Sequence, residues 1–327
     1  MYIEKKLINK KQYYYLKHSF RNKNKVKTKT LAYIGNKRNK EKIKKLEKLF
    51  NKDKLKEIKM DLFNEIDWDK EILPDKEKIT QIKKQFSTKL EKLDNKTKKE
   101  MFDDFLTYFI YNSNAIEGNT LTLKETDLLL NKEITPQGKT LREINDHLNA
   151  KEVFYYLNEK SPEINNETII LTHDRLLEKI DERKGYRRSN VRVIGATFKS
   201  SPYQYIQTDI NILIKWYNKN KTKLHPVILA SLFHHKFEKI HPFYDGNGRT
   251  GRMLMNLILL KNKIPPSILS NKQRKTYYSV LSKADKTGLT EITDDFKPLV
   301  NFISTQVLKT WNTIFKQWDV IPKTKNK

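Results

Sequence analysis

The chain has 327 residues, 66 Lys+Arg against 39 Asp+Glu, a formal net charge of +27 and no cysteine. That length can bury a sizeable core and fits one large domain plus a smaller one. The lack of cysteine excludes a disulfide framework, a thiolate nucleophile and a Cys-based zinc site. The most apolar runs, VILASLF (227–233) and MLMNLILL (253–260), are too short to span a bilayer.

No apolar stretch follows a basic start, so the expectation is a soluble, cytoplasmic protein without a signal peptide or membrane association. The basicity is uneven. Residues 1–60 hold 21 Lys+Arg against 5 Asp+Glu, a net of +16, whereas residues 61–100 balance at 10 against 10. Lysine outnumbers arginine 55 to 11, a bias that an AT-rich genome would also produce. The arginines are therefore informative: Arg183, Arg187, Arg188 and Arg192 form one group and Arg249 and Arg252 another. Choosing Arg there in a lysine-rich chain points to forked hydrogen bonding to phosphate or carboxylate.

In chain order, QYYYLKHSFRNKNKVKTKTLAYIG (12–35) reads as two strands around the turn RNKNK, since aromatic and β-branched residues flank a polar centre. Ile43, Leu46, Leu49 and Phe50 then recur at helical spacing. Residues 1–60 are thus expected to form a small basic β-hairpin plus helix module, and 61–100 a connector and helix. From about 77 the pattern is helical. Phe102, Phe105, Leu106, Phe109 and Ile110 share one apolar face that runs into SNAIEGNT (113–120). Thr122 and Glu125 form a capping-box pattern. Further helices are expected at 140–158, 166–180, 208–220, 225–238, 249–262, 273–285 and 295–317. GYRRSNVRVIGATFKSSPYQYI (185–206) is β-prone and reads as a short hairpin, and 318–327 as a basic tail.

Chemistry concentrates in HPFYDGNGRTGR (241–252), a Gly-rich loop leading into a helix. Backbone N–H groups at a helix start, approachable at Gly246 and Gly248, make an anion site. Arg249 and Arg252 lie three apart and project from one face. His241 can exchange protons near neutral pH, and Asp245 is a hard ligand suited to magnesium beside phosphates. A base, a metal carboxylate and a phosphate cradle suit phosphoryl or nucleotidyl transfer. GNGRTG satisfies G-x-G-x-x-G but follows a helix, with no acidic residue about twenty positions on, so a dinucleotide fold is rejected. The Walker pattern fails because Arg252 follows Gly251. Adjacent His234 and His235 point apart on a helix and read as structural rather than as metal ligands with His241. His173-Asp174 reads as surface or capping residues. Taken alone, Glu117 reads as a solvated carboxylate at a helix end.

His241 to Arg252 matches the signature H-P-F-x-D-G-N-G-R-x-x-R, and on those residues the chain resembles the Fic-domain family over roughly 100–310. The resemblance implies a mainly α fold, a Fic-type helical bundle spanning 101–317 with a short β-hairpin flap. It implies transfer of AMP from ATP to a hydroxyl side chain of a target protein. On that basis His241 is the general base, Phe243 anchors the loop, and Asp245 holds Mg2+. Gly246, Asn247, Gly248 and Gly251 belong to the anion loop, while Arg249 and Arg252 bind phosphates. Val193, Ile194 and Gly195 match the flap, which docks the target chain by strand addition. Tyr277 and Tyr278 match a tyrosine pair beside the nucleotide. Asp285 stands where related sequences often carry asparagine, a change bearing on base or ribose recognition.

Ser113-x-x-x-Glu117-Gly118 resembles the family's inhibitory motif, here at the end of a helix at about 101–118 and ahead of the core. By that resemblance Glu117 pairs with Arg252 and blocks the γ-phosphate site. In some relatives the same glutamate serves de-adenylylation. The partner implied is a protein with a Ser, Thr or Tyr hydroxyl, and a homodimer is left open. The resemblance does not reach residues 1–60, for which target docking and nucleic-acid binding stand as equal expectations. A nucleic-acid-binding regulator with a vestigial site is the rival of another class, set against the intact signature. A shorter Fic-like toxin is disfavoured by the retained G-N-G.

Overall fold

The computed structural model describes residues 1–8, 11–22, 25–55, 58, 73, 75–192 and 198–318. Two compact units divide the chain, Met1–Asp67 and Trp68–Lys327. Of the connector and helix expected over 61–100, residues 61–72 and 74 lie outside this description and the helix is present at Lys76–Lys92; Val193, Ile194, Gly195 and the tail beyond 318 also lie outside it.

The first unit is a meander, β1 (Tyr2–Ile8), β2 (Lys11–Asn22) and β3 (Lys25–Gly35), followed by α1 (Lys40–Leu49). The hairpin expected at 12–35 is present, and a strand unread in the sequence, β1, pairs antiparallel with β2. YIEKKLI mixes lysines into both faces, which hid its alternation. Ile3 faces Leu16 across the ladder, and Leu16, Ile34 and Ile43 close a small core beneath α1.

The second unit is helical: α2 (Lys76–Lys92), α3 (Asn95–Ile116), α4 (Leu123–Lys132), α5 (Leu141–Lys160) and α6 (Asn166–Leu176), then α7 (Ile206–Asn220), α8 (Pro226–Ile240) and α9 (Asn247–Lys261), and finally α10 (Arg274–Lys283) and α11 (Lys297–Thr310). The last helix continues into a π-helical turn, Trp311–Phe315. Thr122 with Glu125 and Thr140 with Glu143 form complete capping boxes that start α4 and α5. α8 and α9 are the centre. Val227, Ile228, Leu229, Phe233 and Phe237 of α8 are fully buried, as are Leu254, Met255 and Ile258 of α9. Helices apolar on most sides must be surrounded by other helices, and that encirclement fixes the loop between them.

The hairpin expected at 185–206 is not found in its described parts. Residues 185–192 and 198–202 are irregular backbone, followed by a 3-10 turn at Tyr203–Tyr205. Arg187 accounts for this: its guanidinium donates to the carbonyls of His241 (2.9 Å), Ser189 (2.7 Å) and Ser201, and its own N–H to Pro242 O at 3.0 Å. These bonds consume carbonyls that a ladder would need. Among the described residues, no helix is long and apolar enough to cross a membrane.

Candidate active site

The loop 241–246 begins where α8 ends. His241 caps α8 in the left-handed region, φ 52°, with its N–H bonded to Phe237 O at 3.0 Å. Phe243 is fully buried and stacks on His173 at 3.6 Å with an interplanar angle of 6°. His173 Nδ1 donates to Asp174 Oδ1 (2.8 Å), and its Nε2 lies 3.2 Å from Asp245 O. The expectation that His173-Asp174 lies at the surface is therefore corrected for His173, which is 3% exposed and forms a wall of the loop. Asn247 closes the loop on itself, accepting from Phe243 N and donating to Phe243 O, both at 2.9 Å.

α9 starts with Gly246 at φ 73°, and no side chain caps it. Its first intrahelical bond runs from Thr250 N to Gly246 O at 3.0 Å, which leaves the N–H groups of 247–249 at a bare positive end. A carboxylate already lies there. A Cβ on Gly248 would come within 2.2 Å of Glu117 Oε1, so only glycine admits that group. Glu117 ends α3 and accepts from Arg252 Nη2 at 2.8 Å. Arg252 also donates from Nε to Ser113 Oγ (2.9 Å) and from Nη2 to Ser113 O (3.0 Å). The fork is thus split between Ser113 and Glu117, not bidentate on the carboxylate. Burial of Arg252 opposes its charge, but Glu117, Tyr277 and Glu238 together outweigh burial and hold its pKa above the usual value.

Asp245 and Arg249 are held by two residues that sequence reasoning missed. Arg142 pairs with Asp245 Oδ2, and Asp146 pairs with Arg249 Nη1. Both come from α5, four residues apart and hence on one face. The Arg142-x-x-x-Asp146 spacing was the available signal. Burial works to raise the Asp245 pKa, yet Arg249, the Gly246 N–H and Arg142 together bring it below the usual value. The Asp245 side chain is 39% exposed. One accessible carboxylate beside an open helix start and two guanidiniums fits a magnesium ion that takes its other ligands from phosphates and water. Among the described residues no cluster of three acidic or His ligands exists that would form an all-protein cage.

Burial pushes the His241 imidazole down to about 4, so it is neutral at pH 7, and its Nδ1 has no hydrogen-bond partner. That is the form a general base requires. Beneath the loop, His234 Nε2 meets the Tyr277 hydroxyl at 2.6 Å, and His235 Nε2 meets Asp285 Oδ1 at 3.2 Å. His234 and His235 thus point apart, each into helix packing. Tyr277 is buried, its ring 5.2 Å from that of Tyr278, which is 42% exposed and carries Arg274 over its face at 5.5 Å. Tyr278 therefore presents the open ring. Asp285 is turned inward. Glu238, which sequence reasoning passed over, is pushed up to about 8 by burial, against the pull of Arg252; its Oε1 lies 3.9 Å from His234 Nδ1 and makes no hydrogen bond.

The structure thus brings together Ser113, Glu117, His241, Asp245 to Arg249, Gly251 and Arg252. Of the arginine group, Arg183 does bind a carboxylate, that of Asp181 (2.9 and 3.1 Å), whereas Arg187 binds carbonyls. A Cβ on Gly251 would lie 2.6 Å from Glu238 Oε1, so that glycine serves packing against α8.

Residues 163–259 match the model of the Fic/DOC family. The chain is 32% identical over 218 residues to Protein adenylyltransferase Fic of Nematostella vectensis, covering 65% of this chain and 49% of that protein. It thus spans about half the length of that curated relative. A Fic domain containing signaling protein from Bacteroides thetaiotaomicron superposes with a TM-score of 0.66 at 27% identity, covering 73% of this chain and 97% of that one. Fic-1 from C. elegans gives a TM-score of 0.61 at 26% identity, covering 80% and 76%.

Proposed function

This chain carries a Fic domain, and we propose that it is a self-inhibited adenylyltransferase that moves AMP from ATP to a protein hydroxyl. The target oxygen attacks the α-phosphorus, the bond to the β-phosphate bridging oxygen breaks, and pyrophosphate leaves. His241 takes the hydroxyl proton. Burial keeps the imidazole uncharged at neutral pH, which leaves one ring nitrogen with a lone pair to accept that proton. Arg249, held by Asp146, faces phosphate charge, and the N–H groups at the start of α9 bind phosphate oxygens. Asp245 is the residue that would hold Mg2+, which supplies charge neutralisation at the phosphates.

The observation that carries the reading is the Glu117–Arg252 pair at the uncapped start of α9. A carboxylate and a phosphate compete for the same two features, a guanidinium and a helix N-terminus. Glu117 therefore excludes the γ-phosphate from Arg252, and ATP bound beside it sits with its α-phosphorus out of line. The test is label transfer from α-phosphate-labelled ATP by wild type, Glu117→Gly, and Glu117→Gly with His241→Ala. Label on protein in the single variant only is the expected result. No label in any of the three, with ATP binding verified, defeats it.

One observation favours a second reading. Glu117 engages Arg252 through Oε1 alone, and its side chain is 35% exposed. A carboxylate with an uncommitted oxygen at the site can orient a water against an AMP–protein ester. In that reading Glu117→Gly abolishes AMP release from a modified target.

A further inference from the structure

The first unit carries a feature unrelated to nucleotide transfer. Its sheet is two-sided. One face holds Ile3, Leu16 and Ile34 against α1. The strand register places Tyr13, Tyr15 and Tyr33 on the other, because Tyr15 pairs with Tyr33 across the ladder and Tyr13 lies two residues from Tyr15. Their rings form a patch, with Tyr15 and Tyr33 centroids 5.3 Å apart and Tyr13 and Tyr33 6.3 Å apart. Tyr33 is 48% exposed.

Cations border the rings. Lys6, opposite Tyr13, holds its ammonium 6.0 Å from the Tyr15 centroid, and Lys17 follows Tyr15 on the same face. Glu4 bridges Lys17 at 2.8 Å and Lys6 at 3.7 Å and fixes both beside the tyrosines. Ser19 and Thr28 extend the face with paired hydroxyls at 2.9 Å. One exposed ring, Tyr33, flanked by the half-buried rings of Tyr13 and Tyr15, is costly to leave in water, and the unit's own packing does not require it, since its core is on the other side.

We propose that this tyrosine face binds single-stranded nucleic acid. Bases stack on the rings, and the phosphate backbone runs along the lysines. Charge complementarity selects this occupant: residues 1–60 carry a net +16, which matches a polyphosphate chain far better than a typical protein surface. A duplex conceals its base faces and cannot use the rings. The face is a binding surface in addition to the transferase site and does not depend on that site's activity.

The test uses the full chain and a fluorescently labelled oligo(dT) or oligo(U) of about 20 nucleotides, followed by anisotropy at several salt concentrations. Wild type is expected to bind the single strand more tightly than a duplex of equal length, with affinity falling as salt rises. Tyr15→Ala with Tyr33→Ala is expected to lose on the order of tenfold or more in affinity. Lys6→Ala, at an exposed position, is expected to lose less and to lower the salt slope. Circular dichroism checks that the double variant keeps its fold, and Tyr33→Phe, which retains the ring, should bind like wild type. Equal affinity for duplex and single strand, wild-type affinity in the folded double variant, or no oligonucleotide binding at all overturns the proposal. The last result would leave the face to a protein target.

Discussion

Arg252 and Glu117 stand 135 residues apart in the chain and meet at 2.8 Å, with Ser113 taking the remaining guanidinium bonds. The pair joins the end of α3 to the first turns of α9. Removing the carboxylate is expected to raise AMP transfer by roughly tenfold or more, since a charge-assisted bond is worth about 1.5–3 kcal/mol. Ser113→Ala keeps the carboxylate and removes only an Oγ acceptor, so the rise should be smaller, about two- to fivefold. Auto-labelling with α-phosphate-labelled ATP measures both. A Ser113 effect equal to that of Glu117→Gly would show that the backbone position of α3, not the charge, sets the block.

Asp146 and Arg142 test two ion pairs of opposite character. Asp146 and Arg249 are nearly buried, with side chains 10% and 5% exposed. Asp146→Ala leaves the buried Arg249 guanidinium with only the longer contact to Asp245 Oδ1 at 3.4 Å and should cost about 3 kcal/mol in urea unfolding. Arg142 is 55% exposed, so Arg142→Ala should cost about 0–1 kcal/mol. That second variant frees Asp245 from a competing cation, and the expected gain is tighter Mg2+ binding by calorimetry in the presence of ATP.

The contact of Phe243 with His173 carries the loop ahead of α9. Phe243→Ala empties a fully buried site and should destabilise the protein by about 3–5 kcal/mol. Phe243→Leu fills much of the volume but loses the stacked ring. It should retain most of the stability and lose transfer activity, because the backbone of Asp245 is tied to His173. Equal losses in both readouts would argue against a positioning role.

The buried histidines set an acid limit. Burial holds His234 at about 3 and His241 at about 4, and lowers His147 and His173. Unfolded, each accepts a proton near pH 6.5, so stability is complete above that pH and falls as pH drops toward these folded values. The loss should reach roughly 2 kcal/mol per strongly shifted histidine by pH 5. Urea midpoints between pH 7.5 and 5 measure it.

Glu238 has the opposite sign. Its folded pKa of about 8 lies above the ordinary carboxyl value, so its contribution is present at low pH and is lost as pH rises through 8. Glu238→Gln removes the titration. The variant should gain on wild type as pH goes from 5.5 to 8.5, and parallel urea midpoints across that range would refute the assignment.

The sequence by itself determined the helices and the signature loop ahead of α9. α5, α8 and α9 lie within a few residues of their expected spans, because apolar periodicity and capping signals act over one or two turns. The loop was legible for the same reason: H-P-F-x-D-G-N-G-R-x-x-R is contiguous and its chemistry is local. The pairing of Glu117 with Arg252 was legible only through family resemblance, since nothing near either residue requires it. What only the tertiary structure decided were the contacts between distant segments. Asp146 reaches Arg249, Arg142 reaches Asp245, and His173 stacks on Phe243 because α5 and α6 pack against the α8–α9 pair. Arg187 satisfies carbonyls of His241 and Ser201, bonds between segments that no local signal announces. Propensity acts between neighbours in sequence; a buried charge is satisfied by whichever group the packing brings to it.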